Sequence, residues 1–287
     1  MAWTEITRKR YERKSDRYSS DLTDAEWSVV APLLPGRNRL GRPREVKLRD
    51  IWDAIQYIVT TGCAWSLLPK DFPPVSTVRY YFYCWRDSGL LHEINRALVV
   101  MARCAQGRNR QPTAGVIDSQ SVKTSENTSL SGFDAGKKIK GRKRHIMTDT
   151  CGHLIALTVH TANIQDRDGA PGVFIRLRRE ASKLRHVFAD GGYAGPKLRE
   201  ALIGIGQWTI EIVKRSDGTK GFEVLPRSLS WFAGKPLPGS GWVVERTFAW
   251  LGRCRRLAKD WEKSIESAEA WVLIAHIRRV TRLLAAD

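Results

Sequence analysis

Cysteines, long apolar runs and acidic residues are all scarce in this sequence. The five cysteines are odd in number and scattered, and no two are spaced as CxxC, which argues against a disulfide framework or a zinc–thiolate site. The longest apolar runs, such as residues 97–102, fall far short of the ~20 residues that a membrane span needs. Residues 1–20 are polar and charged, unlike a signal peptide. We therefore expect a cytoplasmic protein with reduced thiols and no membrane partner.

Basic residues are in large excess over acidic ones. The 48 lysines and arginines against 30 aspartates and glutamates give a net charge of +18, and such a charge attracts polyanions. Hydrophobic residues make up 42% of the 287 residues and 11 residues are tryptophan, so the chain can bury a core. At about 150 residues per domain, this length suits two units. Nucleic acid is the predicted partner, and a merely soluble basic protein is the alternative.

The N-terminal third is predicted to be a basic arm followed by a small all-α domain. Residues 1–20 hold six basic residues and almost no apolar pattern, which indicates a flexible basic arm, with a solvated tail as the alternative. Thr23 and Glu26 form a capping-box pattern at the start of a helix. Gly62 marks the end of the second helix and Ser76 the N-cap of the third. The domain, 21–105, is thus predicted to contain helices over residues 23–35, 48–61, 77–86 and 90–105.

These short helices, joined by tight turns, predict a helix-turn-helix-like arrangement. The third helix is rich in Arg, Tyr and Thr and is expected to enter a DNA major groove. Arg79 and Tyr80 are its predicted DNA-reading residues. A linker is predicted over residues 106–112 because of their Gly-Arg-Asn-Arg stretch. Three other aromatic residues of the third helix are predicted to be core: Tyr81, Phe82 and Trp85.

Residues 113–287 are predicted to form an α/β domain with a mixed sheet and the element order β-β-β-α-β-α-β-α. Two of its predicted strands end in Asp118 and Asp190. A carboxylate just past a buried strand is costly to desolvate unless a cation or metal pairs with it, and a capping or turn-forming role is the alternative. Hydrolysis or transfer of a DNA phosphodiester needs converging carboxylates of this kind, because they hold two metal ions at the phosphate.

Four ordered blocks resemble bacterial insertion-sequence transposases of family five. The likeness covers nearly the whole chain, including the helical domain. It implies an RNase H-like DDE catalytic domain in which Asp118, Asp190 and Glu245 bind two Mg²⁺ (or Mn²⁺) ions and catalyse the reaction. The blocks are residues 116–124 (VIDSQSVKT), 136–146 (GKKIKGRKRHI), 189–195 (ADGGYAG) and 242–251 (WVVERTFAWL).

The resemblance also implies a function. Such a protein binds the terminal inverted repeats of an insertion sequence, cuts the DNA and transfers the strand to target DNA. Its partners are double-stranded DNA and further copies of itself, as a homodimer or higher oligomer, at the bacterial nucleoid. Two alternatives remain open, namely an inactive relative that occupies transposon ends as a repressor, and a structure-selective nuclease of RNase H-like fold.

Basic residues near the carboxylates predict phosphate contacts. A helix over residues 242–258 would place Arg253 about 80° and Arg256 about 20° from Glu245. The hairpin after the first catalytic strand is expected to contact phosphates, with a solvated hairpin as the alternative. Its candidate residues are Lys137, Lys138, Lys140, Arg142, Lys143 and Arg144.

The chain departs from the family in two places. The family signature Tyr-x2-Arg-x3-Glu-x6-Lys survives only at Glu245, with Arg246 and Arg253 as the nearest substitutes. A Gly/Pro-rich segment, 228–241, also precedes this glutamate. The missing Tyr, Arg and Lys would fall on Pro238, Gly241 and Gly252.

Other acidic and histidine residues offer rival sites. Asp166 and Asp168 could form a second metal pair, but we interpret them as helix-cap and turn residues. Asp149 is likewise interpreted as a turn residue. No zinc site is predicted, because the histidines lack HExxH or C2H2 spacing.

Overall fold

The computed structural model describes residues 17–36, 43–126, 128–213 and 240–286. Most of the predicted basic arm, up to residue 16, lies outside the described residues, as do residues 228–239 of the Gly/Pro-rich segment. The predicted fold class is confirmed: an all-α region comes first and a mixed α/β unit follows.

In the described part of the N-terminal region there are four α-helices, as the sequence predicted. The capping box is present, with the Thr23 hydroxyl accepting from the Glu26 N–H at 3.1 Å and the Glu26 carboxylate accepting from the Thr23 N–H at 2.9 Å. The second helix ends at Gly62, whose φ of 72° lies in the left-handed region that favours glycine. Ser76 is not the N-cap of the third helix, because Pro74 holds that position and the helix starts one residue before Ser76. The helices are α1 (Asp24–Val30), α2 (Leu48–Thr61), α3 (Val75–Asp87) and α4 (Leu90–Ala105).

The described residues after position 112 form a six-stranded mixed sheet with four α-helices. The strand order is β2-β3-β1-β5-β6, and β4 also pairs with β3. The β1–β5 and β5–β6 pairs are parallel and the other pairs are antiparallel. The strands are β1 (Ala114–Lys123), β2 (Gly132–Asp134), β3 (Ile139–Asp149), β4 (Leu154–Thr161), β5 (His186–Ala189) and β6 (Thr209–Ile212). The helices are α5 (Asp166–Glu180), α6 (Pro196–Leu202), α7 (Ser240–Gly252) and α8 (Ile265–Leu284).

The predicted element order lacked β2 and the final helix. With only three residues, β2 is too short to show an alternating pattern. Within the described part of the chain, no helix combines the length and apolar character that crossing a membrane requires.

The sheet separates two hydrophobic cores. Alternate residues of β1 face opposite sides, so that Val116 belongs to a larger core with α7 and α8, and Ile117 to a smaller core with α5 and α6. The larger core also contains residues of α1 to α4. A buried chain of hydrogen bonds joins them to the sheet, since Asn95 of α4 donates to the Leu154 carbonyl at 3.0 Å and contacts His276 of α8 at 2.6 Å. The predicted linker thus connects two stretches of sequence that share a core.

A fully buried arginine of β3, Arg142, holds a loop against the sheet. Its guanidinium lies 3.2 Å from the Asp260 carboxylate. It also donates to the carbonyls of Leu130, Glu262 and Lys263 at 2.8–3.0 Å. These bonds satisfy a charge that burial would otherwise make costly.

We predict that Arg142→Ala lowers the free energy of unfolding by about 3–5 kcal/mol, because Asp260 is left buried without its partner. Arg142→Lys should recover little of this, since an ammonium lacks the planar fork of donors. Urea denaturation measures both values. The matched control is Lys140→Ala, an exposed lysine two residues earlier on the same strand, which should change stability by less than about 0.5 kcal/mol. An Arg142→Ala protein as stable as this control would contradict the prediction.

Candidate active site

Two aspartates occupy equivalent positions on neighbouring parallel strands. β1 and β5 pair in parallel as far as Val116↔Phe188. Asp118 and Asp190 each lie two residues beyond that pair. Adjacent strands are ~4.8 Å apart. The register therefore brings these two predicted metal ligands side by side just past the end of β5. The prediction that the first strand ends at Asp118 is wrong, because β1 continues to Lys123.

Asp118 carries a charge that its surroundings compensate poorly. The side chain is partly buried, and Oδ1 accepts a hydrogen bond from the Ser119 N–H at 2.7 Å. Burial, followed by repulsion from Asp190 and Asp166, raises the pKa of the Asp118 carboxyl to about 7. A divalent cation would relieve both effects, so this set of oxygen donors fits a metal ion.

A third carboxylate, Asp166, lies beside Asp190. A Cβ atom placed on Gly192 would lie 3.1 Å from Asp190 Oδ1 and 3.5 Å from Asp166 Oδ2. The Gly192 N–H donates to Asp190 Oδ1 at 2.8 Å. Asp166 is the first residue of α5, and Gln165 is its N-cap, so our interpretation of Asp166 as a helix cap is wrong.

Asp166 is paired with a buried lysine. Its Oδ1 accepts from Lys143 Nζ at 2.8 Å and from Ser119 Oγ at 2.7 Å. Although burial acts in the opposite direction, these hydrogen bonds hold the pKa of the Asp166 carboxyl below its ordinary value. Lys143 also lies 3.5 Å from Asp134 and its side chain is 4% exposed. The prediction that Lys143 contacts DNA phosphate is therefore wrong.

Tyr193 is a buried residue close enough to the three aspartates for their charges to act on it. Its hydroxyl contacts His145 Nε2 at 2.6 Å. Burial and the negative charges of Asp118, Asp166 and Asp190 raise the pKa of Tyr193 well above its ordinary value. Burial lowers the pKa of His145 to about 3, so the imidazole is neutral. Sequence reasoning missed this tyrosine, although it stands in the same Gly-Gly-Tyr block as Asp190.

Glu245 is exposed on α7, the helix that packs across β1 and β3. Its neighbour Val244 shares the larger core with Val116 and Phe188, the residues that precede the two aspartates by two positions. Glu245 thus lies on the helix that covers the face to which Asp118 belongs. Arg246 is half-buried and donates to a carbonyl of the β3–β4 turn at 3.3 Å.

Among the described residues, one group of three potential ligands lies within 4.8 Å of one another, formed by Asp149, Cys151 and His153. The predicted triad of Asp118, Asp190 and Glu245 is not drawn together that closely. Asp149 is already engaged, because Oδ2 pairs with the buried Arg103 and Oδ1 accepts the N–H groups of residues 151 and 153 at 2.9 and 2.8 Å. This cluster is therefore structural.

The helix that carries Glu245 is shorter than predicted. It ends at Gly252, six residues before the end of the predicted helix, so the angles predicted for Arg253 and Arg256 do not apply. Arg253 is exposed. Arg256 is buried in an ion pair with Glu262, and the prediction that it contacts phosphate is wrong.

The predicted phosphate-contacting hairpin has a buried stem and an exposed tip. Arg142 is buried against the loop of residues 260–263. Arg144 donates to the Leu257 carbonyl at 2.7 Å, and burial lowers its pKa to about 10. The prediction is therefore wrong for both arginines. Three lysines are exposed as expected: Lys137, Lys138 and Lys140.

In α3, the exposed and buried residues are those that the sequence predicted. Arg79 and Tyr80 are exposed, whereas Phe82 and Trp85 are buried. Tyr81 is partly buried. The structure leaves the DNA-reading role of the two exposed residues a prediction.

We predict that the stability of the metal-free protein falls as the pH rises from about 4 to about 7, because the raised pKa of Asp118 makes the folded protein bind its proton more tightly than the unfolded chain does. Added Mg²⁺ should therefore raise the Tm more at pH 8 than at pH 5. Asp118→Asn should have a higher Tm than the wild type in EDTA at pH 8 and respond little to Mg²⁺. Thermal-shift measurements test this, and an equal Mg²⁺ response in both proteins would contradict it.

Comparison with known proteins agrees with this geometry. Residues 109–279 match the family "Transposase DDE domain", and residues 22–95 match "Putative transposase of IS4/5 family". The "Putative transposase for insertion sequence element IS402" of Burkholderia cepacia is 31% identical over 130 residues, which are 43% of this chain and about half (54%) of that relative. Two structures of Mos1 transposase, a paired-end complex with the left transposon end and a strand transfer complex, are 10% and 12% identical over 88% of this chain and 81% of theirs, with TM-scores of 0.25 and 0.23. The match over residues 109–279, more than half of the chain, shows that it belongs to the family of transposase DDE domains.

Proposed function

We propose that this protein binds the terminal inverted repeats of an insertion sequence and catalyses metal-dependent strand cleavage and strand transfer. The observation that carries the proposal is the parallel register that sets Asp118 beside Asp190 on the face covered by α7. DDE transposases carry out this chemistry with divalent metal ions, and membership of the family supports the same activity here.

Asp118, Asp190 and Glu245 would hold two Mg²⁺ or Mn²⁺ ions. When bound, such ions neutralise phosphate charge and help to generate the attacking oxygen. The protein orients the two aspartates with backbone donors, the N–H groups of Ser119 and Gly192. In the proposed sequence, water first breaks a phosphodiester bond to leave a 3′-OH, and this 3′-OH then attacks a phosphodiester of the target DNA.

Double-stranded DNA, as transposon end and as target, is the proposed partner. Arg79 and Tyr80 of α3 would read the end sequence, since base contacts specify. The exposed hairpin lysines, together with Arg246 and Arg253, would contact phosphates near the cut. A homodimer or higher oligomer on DNA would bring two ends together.

One observation favours a second function, a repressor that binds the ends without cutting them. The family's Tyr, Arg and Lys positions fall on proline and glycines here, which cannot make the same side-chain contacts. Metal-dependent cleavage of end DNA separates the two functions. A general nuclease would cut without terminal repeats, whereas the proposed transposase needs them.

We predict strongly salt-dependent DNA binding. A protein with net charge +18 that contacts ~6–10 phosphates should lose about 10³–10⁵-fold in affinity between 50 and 200 mM salt, because bound counterions are released from DNA. Fluorescence anisotropy with a labelled duplex measures the slope. A nearly flat titration would rule out a polyanion as partner.

We also predict that Glu245→Gln reduces strand cleavage by orders of magnitude while end binding persists, because the substitution keeps the size of the side chain but removes a metal-binding charge. Asp118→Asn and Asp190→Asn should behave alike, and the losses should be non-additive. The assay uses labelled DNA that flanks the coding frame, with Mg²⁺ or Mn²⁺.

The control for these variants is Asp168→Asn, which removes a carboxylate paired with Lys197 at 2.8 Å on the surface of α5 and should leave cleavage intact. An active Glu245→Gln enzyme together with an inactive Asp166→Asn enzyme would instead make Asp166 the third ligand.

A further inference from the structure

The hairpin between β2 and β3 folds back over β1. Gly141 permits this close approach, because a Cβ atom there would lie 1.9 Å from the Val122 carbonyl oxygen. Asp134, at the end of β2, accepts from Ser121 Oγ at 2.6 Å and from the Lys137 N–H at 3.0 Å. The turn is therefore fastened to the catalytic strand.

This turn brings the Lys137 ammonium to the strand that carries Asp118. Nζ donates to the Ser119 carbonyl oxygen at 3.0 Å and lies 3.3 Å from Ser119 Oγ. Its positive charge also acts on Asp118, where it opposes the upward shift of the pKa. An ammonium has three N–H donors, so one remains after the two contacts with Ser119. Because Lys137 is exposed, a bound phosphate can reach it.

The other lysines of the hairpin are placed differently. Lys143 is buried between Asp166 and Asp134, which leaves its charge balanced. Lys138 is exposed and has a φ of 53°, a conformation that non-glycine residues seldom adopt. As the next residue in the same turn, with the same charge but no contact with Ser119, Lys138 provides a matched comparison for a phosphate contact alone.

We propose that Lys137 is a further catalytic residue, whose ammonium contacts a non-bridging oxygen of the phosphodiester that is cut and stabilises the charge that develops there. The inference rests on the proposed function. The ammonium keeps its proton throughout: one P–O bond forms to the attacking oxygen, one breaks to release the 3′-oxygen, and Lys137 only stabilises the charge between these events. Donors held in place before the reaction stabilise such charge best, because they need no reorganisation.

The test compares Lys137→Ala with Lys138→Ala in the full-length protein, on a labelled duplex containing the DNA that flanks the coding frame. At saturating protein and Mg²⁺, Lys137→Ala should cut about 10²–10³-fold more slowly, which is the usual effect of removing one such donor. Lys138→Ala removes a phosphate contact but no contact with Ser119, so it should weaken duplex binding without a comparable loss of cleavage rate at saturating protein. Both variants should weaken duplex binding by similar small factors, and Lys137→Arg should retain part of the rate because it keeps the charge.

The Mg²⁺ concentration that gives half-maximal cleavage distinguishes catalysis from positioning. Loss of an ammonium near Asp118 should not raise this concentration, whereas a displaced Asp118 would. A raised midpoint with the rate restored at saturating Mg²⁺ would overturn the proposal, as would equal rates for the two alanine variants. A wild type that binds the duplex but never cuts it would contradict both this inference and the proposed function, whereas a wild type that cuts no faster than Lys137→Ala contradicts the inference alone.

Discussion

The register between β1 and β5 is the constraint on which the site depends. Side chains alternate along a strand, so a slip of one residue would turn Asp190 to the opposite face of the sheet. Burial on both faces prevents the slip, because Val116 and Phe188 pack in the larger core while Ile117 and Val187 pack in the smaller one. Hydrophobic packing on two sides thus determines where two charged groups meet.

The carboxylates near the β1–β5 pair differ in which groups balance their negative charge. Asp166 has its own cation, Lys143, at 2.8 Å, and its pKa is lowered as a result. Asp118 has a backbone hydrogen bond and a pKa of about 7, because the charge of Lys137 offsets only part of the effect of burial. Groups whose environments move their pKa values apart take different roles. The uncompensated charge at Asp118 is the one that a metal ion would stabilise.

The positive charge exposed to DNA is smaller than the net charge of the chain indicates. Several basic residues of the predicted interface are buried and hold the fold together, since Arg142 fastens the loop after α7, Arg144 binds a carbonyl and Arg256 pairs with Glu262. A guanidinium suits this use because its fork of donors can satisfy several carbonyls at once. The exposed lysines at the hairpin tip remain accessible to a polyanion.

Local patterns in the sequence were sufficient to predict most elements. Capping and apolar spacing predicted α1, α2 and α4, because these signals depend on neighbours within a few residues. Asp190 follows its strand as predicted, whereas Asp118 lies within β1 and not at its end. Glu245 was a candidate only through the family resemblance. The structure was needed to separate the buried stem of the hairpin from its exposed tip, since a basic run does not show that Arg142 is buried while Lys140 is exposed.

Only the tertiary structure decided the partners that are distant in sequence. Asp166 meets Ser119 across 47 positions, and Lys137 reaches the same serine because the hairpin folds back over β1. Tyr193 meets His145 across 48 positions. Such contacts depend on sheet register and on the close approach of Gly141 to β1. The sequence by itself determined which strands and helices form and which residues carry the charge, whereas packing determined which charges face one another, because long-range contacts leave no local pattern.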